Sequence, residues 1–256
     1  MKNGIVTKEF YIGRFIYLQS ELDSLPNITF VRQGTGVAVS IKKPGKKEAR
    51  YNSRNPKWPE YERLARRRIQ LKDQMKKLMK QWGAEYTGSL SSLASEYMLI
   101  PNTKSVYNSR LWRSLKADTN PYEKNRTYSH NGVIMRSVFE TDVAQILEDM
   151  GIEYKYEVTL NLGEDGYVNP DMAIHFPEYN RCGFIEALGR LEEDDYVTTN
   201  VKKINKYTKA GLYMNRDIQF IPADGFYRPE QRLIKKMIAV ICDAMALQYV
   251  VKRPGH

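Results

Sequence analysis

The pattern of hydrophobic and polar positions in the second half of the chain changes period several times, which indicates alternating helices and strands. Apolar residues three and four apart, as at Phe139, Val143 and Leu147, are typical of an amphipathic helix, whereas short apolar runs are typical of buried strands. The predicted order is helix Arg136–Met150, strands Tyr154–Leu162, Val168–Phe176 and Gly183–Leu188, helix Thr198–Ala210, strand Asp217–Pro222 and helix Pro229–Tyr249. This order predicts an α/β fold in which a mixed sheet is flanked by helices.

The first half of the chain follows a simpler pattern. It predicts a short helix over Phe10–Leu25, a hairpin around Gly34-Thr35-Gly36, a loop over Lys42–Pro59 and a long helix from Glu60 that stops at Gly83. Short helical pieces separated by turn signals then form a bridge. We therefore predict a helix-hairpin-helix region over residues 1–86, a linker over 87–130 and a second domain over 131–256.

The net charge of +10 is concentrated in the first half. Between Ile41 and Lys80 the chain has fifteen basic and four acidic residues, a net charge of +11. Such an excess favours a polyanionic partner, most simply nucleic acid, although a solvated helix face would give the same pattern. The residues predicted to contact a nucleic-acid backbone here are Lys42, Lys43, Arg63, Arg66, Arg67, Arg68 and Lys72.

The rest of the composition excludes several classes of protein. Cys182 and Cys242 do not form a paired spacing, so neither a disulfide framework nor a zinc knuckle is expected. No apolar run reaches the length of a membrane span, and charged residues interrupt the N-terminal segment where a signal peptide would be apolar. These features predict a cytoplasmic protein without a membrane partner.

Three acidic residues stand out in the second half. Asp171 follows a proline in one predicted strand, Glu186 lies inside the apolar run of the next, and Glu140 lies on the preceding helix. Alternation puts Asp171 on one face of its strand and Glu186 on one face of the next. If the two strands pair, the two carboxylates can lie close together, where they repel unless a cation lies between them. Because Mg²⁺ favours carboxylate and phosphate oxygens, the sequence predicts a Mg²⁺ (or Mn²⁺) site formed by Asp171, Glu186 and Glu140.

This arrangement resembles the PD-(D/E)XK nuclease superfamily over roughly residues 136–249. The motifs that carry the resemblance are Arg136-Ser137-Val138-Phe139-Glu140, Pro170-Asp171, Glu186-Ala187-Leu188-Gly189 and Lys203-Ile204-Asn205-Lys206-Tyr207. They are similar to those of a group of bacterial and phage proteins in that superfamily. The resemblance implies a restriction-endonuclease-like mixed sheet, metal-dependent hydrolysis of phosphodiester bonds, and contact between Arg136 and a substrate phosphate.

One position departs from the superfamily pattern. Leu188 stands where the lysine of the E-x-K motif orients or deprotonates the attacking water. Another lysine can replace it, since only the position of the ammonium group matters to the chemistry. Lys203 on the following helix is the candidate, with Lys206 and Lys155 as alternatives.

Three functions are therefore compatible with the sequence. The first is a Mg²⁺-dependent endonuclease that cuts double-stranded or branched DNA and holds it through the basic N-terminal region. The second is a catalytically inactive member of the fold that binds nucleic acid. The third is an interaction protein, for example of a phage, that forms a homodimer or a larger protein complex through its long helix.

Overall fold

A computed structural model describes residues 4–42, 45–121 and 127–255 of the chain. Its contacts divide the described residues into two compact units, one comprising residues 14–96 and the other residues 4–13 and 97–255. The segment 87–130, predicted as a linker, is thereby shared between the two units. The first helix, α1 (Lys8–Ser24), contributes residues to both.

The first unit contains a three-stranded antiparallel sheet and a long helix. Its further elements are β1 (Asn27–Gln33), β2 (Gly36–Lys42), β3 (Ala49–Asn52), α2 (Trp58–Glu85) and α3 (Leu90–Ala94). The predicted hairpin is β1–β2, but β3 lies in the segment predicted to be a loop. This short strand pairs its polar residues with β2, so its backbone partner rather than its own apolar pattern makes it a strand. Ile28, Val39, Ile41 and Ala65 form the core under α2.

Helix α2 runs two residues beyond the predicted stop at Gly83. Gly83 keeps helical geometry, and the end of the helix is formed instead where the Tyr86 N–H donates to the Trp82 carbonyl at 2.7 Å. The Trp82 indole N–H donates to the Gly88 carbonyl at 2.8 Å, which fixes the direction of the chain as it leaves α2. A glycine within a helix lowers its stability without necessarily ending it.

The second unit is built around a four-stranded mixed sheet. Its elements are β4 (Tyr97–Leu99), α4 (Ser109–Ser114), β5 (Tyr128–His130), β6 (Val133–Met135), α5 (Val138–Asp149), β7 (Glu153–Tyr156), β8 (Leu160–Asn161), β9 (Tyr167–Val168), β10 (Met172–Phe176), β11 (Arg181–Leu188), α6 (Asp194–Lys209), β12 (Ile218–Pro222), α7 (Gln231–Tyr249) and β13 (Val250–Lys252). The strand order is β12-β11-β10-β7, with β12 parallel to β11 and the other pairs antiparallel. The predicted α/β class with a mixed sheet is confirmed.

Helices cover both faces of this sheet. On one face, Ala173 and Phe184 pack with Tyr207 of α6 and Trp112 of α4. On the other face, Gly183 lies so close to α7 that an added Cβ would stand 3.1 Å from the Ile241 side chain. The thiols of Cys182 and Cys242 are buried in this unit and are not joined in a disulfide. No helix among the described residues is long and apolar enough to cross a membrane.

Two predicted strands are each interrupted in the structure. The first breaks at Glu157, whose φ of +46° is a conformation that a sequence normally signals with glycine or asparagine. The second breaks between Val168 and Met172, so that Pro170 and Asp171 form the entry to β10. The predicted helix stops at Gly151 and Gly211 are correct, since both have the left-handed backbone conformation, with φ of +69° and +77°.

Candidate functional site

Asp171 and Glu186 are brought together by the pairing of β10 with β11. The register joins Met172 to Ile185, so one step further along the ladder places Asp171 opposite Glu186. The Asp171 side chain reaches β11 itself, because its Oδ2 accepts a hydrogen bond from the Ala187 N–H at 2.7 Å. The two acids therefore lie at the same end of the β10–β11 pair, in the arrangement that alternation predicts.

Lys203 of α6 lies directly on Glu186. Its Nζ is 2.7 Å from Glu186 Oε2 and also donates to the Asn169 carbonyl at 2.7 Å. One helical turn later, the Tyr207 hydroxyl donates to Glu186 Oε1. Glu186 is 1% exposed, so the ammonium and the hydroxyl together compensate a carboxylate that has little access to water.

The other lysines lie elsewhere. Lys155 donates to the carbonyls of Trp112 and Leu115, both at 2.6 Å, and Lys206 is exposed on α6. Leu188, at the E-x-K position, is buried and pairs with Pro222 of β12. Of the three lysines considered from the sequence, the structure thus brings Lys203 to the acids.

Glu140 is held by the N-terminus of α5. Ser137 and Glu140 form a capping box, in which the Ser137 hydroxyl accepts from the Glu140 N–H and Glu140 Oε2 accepts from the Ser137 N–H, both at 3.1 Å. The same oxygen accepts from the Arg136 N–H and the Tyr156 hydroxyl, both at 2.8 Å. These hydrogen bonds fix a carboxylate that is 7% exposed.

Burial raises the pKa of each of the three acids, and Asp171 adds to the effect at the other two. Burial and the nearby Asp171 raise the pKa of Glu140 from 4.5 to about 7. Burial also raises the pKa of Glu186 to about 7, with Asp171 adding to the effect and Lys203 opposing it. The pKa of Asp171 is raised by burial despite the opposing Lys203. Crowded, poorly hydrated carboxylates of this kind are characteristic of sites that bind a cation or perform chemistry.

Lys203 is charged in this environment. Burial by itself lowers the pKa of its ammonium, but Glu186 and Asp171 outweigh burial and the pKa lies above the ordinary 10.5. At neutral pH, Lys203 is therefore a fixed positive charge among the acids rather than a proton acceptor.

Replacement of Glu140 by glutamine is expected to stabilise the protein at pH 8. The raised pKa means that the folded state binds a proton between pH 4.5 and 7 that the unfolded state releases, so the stability contributed by Glu140 falls as pH rises through that window. The neutral amide removes this dependence, and its oxygen can still accept the three hydrogen bonds. We expect the free energy of unfolding to rise by about 2 kcal/mol at pH 8 and little at pH 5.

Urea denaturation at pH 5, 6, 7 and 8, followed by tryptophan fluorescence, measures this difference. Glu164→Gln, at an exposed position of the same unit, is the matched control and is expected to change stability equally at all four pH values. A loss of stability on Glu140→Gln at pH 8 contradicts the prediction.

Arg136, predicted to touch a substrate phosphate, instead contacts an acid. Its Nε donates to Glu157 Oε1, which also accepts from the Asn120 amide at 2.8 Å. The Glu157 N–H donates to the Asp171 carbonyl at 2.8 Å, so this group supports the entry to β10. The Arg136 side chain is 24% exposed, and its contact with a phosphate stays a prediction.

Sequence reasoning gave no role to Tyr207, Tyr156, Glu157 or Asn120. Tyr207 carried a signal, since it stands four residues after Lys203 and therefore on the same helix face. Tyr156 and Glu157 carried none, because their contacts depend on the break in the strand at Glu157.

The described residues contain no group of three His, Cys, Asp or Glu close enough to surround a metal ion. Mg²⁺ does not need such a group, since it is commonly bound by one or two carboxylates together with water and substrate phosphate. Within the described part of the chain, no donor contacts Asp171 Oδ1 or Glu140 Oε1, so each offers an oxygen to a cation. The donor set therefore fits Mg²⁺.

The basic residues of the first unit differ in their surroundings. Arg66 pairs with Glu62 at 2.7 Å, Arg67 pairs with Glu21 at 3.2 Å, and Arg68 donates to the Leu22 carbonyl at 3.1 Å. Arg63 and Lys72 are exposed on α2, and Lys42 is exposed at the end of β2. The predicted DNA-binding residue Lys43 lies outside the described residues. Arg68 thus contacts backbone carbonyls, while Arg63 and Lys72 present their charges to solvent, and contact of these residues with nucleic acid stays a prediction.

Comparison of the chain with protein-family models, with curated proteins and with solved structures finds no match. The chemistry of the site is therefore judged from its own residues.

Proposed function

We propose that the protein is a metal-dependent phosphodiesterase that cuts DNA internally, with a core of the restriction-endonuclease-like type. The observation that carries this proposal is the placement of Asp171 opposite Glu186, with the Lys203 ammonium 2.7 Å from the Glu186 carboxylate. An acid pair beside a charged lysine can hold a cation and position water at a phosphate.

The order of elements supports the proposal. Helix α5 carries one acid, β10 begins directly after the second, and β11 carries the third before α6 returns with the lysine. Strands β7, β10 and β11 are antiparallel and β12 is parallel to β11, which makes the mixed sheet that the resemblance implies. Fold alone does not determine function, so the proposal depends on the site residues.

In this proposal, Asp171 and Glu186 hold Mg²⁺ and Glu140 assists through its Oε1. When bound, the cation supplies a more acidic water and neutralises charge on the phosphate. Lys203 holds one Glu186 oxygen and orients the attacking water as a hydrogen-bond donor. Tyr207 holds the other Glu186 oxygen, and the Ala187 N–H fixes Asp171, so that neither acid swings away from the substrate.

Incubation of supercoiled, linear and branched DNA with the protein in Mg²⁺ or Mn²⁺, with EDTA as the control, tests the proposal. We expect nicked or linear products that require the metal ion. Binding without cleavage under every metal condition contradicts it.

An inactive DNA-binding member of the fold is the alternative, and one observation favours it. Both Glu186 oxygens are already occupied, by Lys203 and by Tyr207, and Leu188 stands at the E-x-K position. A protein that serves only to bind would keep this closed ion pair. Metal-dependent cleavage that depends on Asp171 rules the alternative out.

Removal of the exposed charges of α2 is expected to weaken DNA binding without changing sequence preference. A cation that neutralises a DNA phosphate releases counterions, so removing one such cation lowers the slope of log affinity against log salt by about one. Arg63→Ala with Lys72→Ala is therefore expected to lower the slope by about two. Fluorescence anisotropy over a salt series measures it.

The matched control removes two exposed lysines of the other unit, Lys104→Ala with Lys116→Ala. An equal effect of the two double variants would show that overall charge, rather than α2, determines affinity.

A further inference from the structure

The turn between β12 and α7 carries an aromatic side chain that is almost fully exposed. Phe226 is 94% exposed and its neighbour Tyr227 is 53% exposed. We propose that Phe226, with Tyr227 beside it, stacks on an unpaired base of the DNA substrate, so that the preferred substrate is single-stranded or branched DNA. This inference rests on the proposed function, because it assigns a substrate class to the same site.

The turn is held in one conformation by its own hydrogen bonds. Asp224 Oδ1 accepts from the Phe226 N–H at 2.8 Å and from the Tyr227 N–H at 2.5 Å, while the Asp224 N–H donates to the Tyr227 carbonyl at 2.9 Å. Gly225 lies against Glu192, where an added Cβ would meet a carboxylate oxygen at 2.7 Å. A fixed turn presents the ring without the entropy cost of ordering a loop on binding.

Each end of the turn is attached to an element that carries one of the candidate site residues. The Ala223 N–H donates to the Leu188 carbonyl at 2.7 Å, two residues after Glu186 on the same strand. At the other end, the Arg228 guanidinium pairs with Asp142, two residues after Glu140 on α5. The turn is therefore attached to the strand that carries Glu186 and to the helix that carries Glu140.

The chemistry of the turn favours an unpaired base as the occupant. A phenyl ring has no hydrogen-bonding group and cannot read the base edges in a groove, but it can cover the face of a base. Insertion into a duplex requires unstacking, which an unpaired base avoids. Of the four basic residues between Phe226 and Lys236, Arg228 pairs with Asp142, while Arg232 and Lys236 are exposed and suit the phosphates on either side of such a base.

The test measures binding in EDTA with Asp171→Asn as the common background, so that no cleavage is needed. The probes are single-stranded DNA, a forked DNA with 2-aminopurine in its unpaired arm, and a fully paired duplex. We expect Phe226→Ala to weaken binding to the first two about ten-fold, to leave the duplex nearly unchanged and to abolish quenching of 2-aminopurine. Phe226→Trp is expected to restore both the affinity for unpaired DNA and the quenching of 2-aminopurine. Tyr167→Ala, which removes an aromatic residue that is 63% exposed on β9, is the control and is expected to change neither.

Equal affinities of the background protein and Phe226→Ala for unpaired DNA overturn the inference, as does an equal loss on paired and unpaired DNA. A change in oligomeric state with no change in DNA binding also overturns it, since the turn would then contact a second copy of the chain. Quenching that depends on Phe226 in a protein that never cleaves would support the inference while contradicting the proposed catalysis. Metal-dependent cleavage at the same rate with and without Phe226 would support the proposed catalysis and contradict the inference about Phe226.

Discussion

Asp171→Asn is expected to reduce Mg²⁺-dependent DNA cleavage by at least about a hundred-fold while leaving the fold and DNA binding intact. Asparagine has nearly the same shape, and its amide oxygen can still accept the Ala187 N–H that Oδ2 accepts at 2.7 Å. The substitution removes a negative charge from the oxygen offered to the cation. Mutation of a group that only supports a metal ligand lowers metal affinity or activity about ten- to a hundred-fold, so removal of a ligand should lower activity further.

Glu186→Gln is expected to lower the rate of cleavage comparably, because it too removes a carboxylate charge from the proposed cation site. The appropriate measurement is the rate of plasmid nicking under single-turnover conditions across a series of Mg²⁺ concentrations, together with DNA affinity in EDTA. Asp165→Asn, in the same unit and between β8 and β9, is the matched control. Cleavage at the unaltered rate in both Asp171→Asn and Glu186→Gln would end the assignment of this site.

The sequence predicted the positions of the two acids well because strands impose a period of two. In the observed pairing of β10 with β11, Asp171 lies opposite Glu186, and alternation puts both side chains on the same face of the sheet. The apolar run of β11 also indicated that Glu186 is buried. A charged residue in such a position needs a partner. Local pattern and tertiary pairing agree at this point of the chain.

The position of Lys203 could not be derived in the same way. It depends on how α6 packs across the sheet, and nothing in a helical period says which residue of another element a side chain will meet. The resemblance to the nuclease motifs, rather than periodicity, singled it out. The sequence also did not predict the break at Glu157 or the short strands β3, β4 and β13. Their conformation is determined by contacts with distant residues.

Lys203→Met is expected to abolish cleavage and also to destabilise the protein, which separates it from the carboxylate variants. Removing the ammonium leaves Glu186, 1% exposed, with only the Tyr207 hydroxyl as its partner among the described residues. Removing one partner of a buried pair costs about 3 kcal/mol or more. Because the pKa of Glu186 is about 7 even beside Lys203, its carboxylate is largely protonated at pH 5 and needs no cation there. The loss of stability should therefore be larger at pH 8 than at pH 5.

Urea denaturation at the two pH values and single-turnover cleavage measure the two effects of Lys203→Met. Lys206→Met, three residues further along α6 and exposed, removes the same charge and is expected to change neither stability nor rate. Lys203→Arg retains the charge, but its planar guanidinium cannot reproduce the paired hydrogen bonds to Glu186 and the Asn169 carbonyl. We expect it to recover stability at pH 8 and little of the cleavage, because the attacking water requires a donor at the position of the ammonium. If Lys203→Met is instead fully active, the lysine only neutralises Glu186, and orientation of the water belongs to another group.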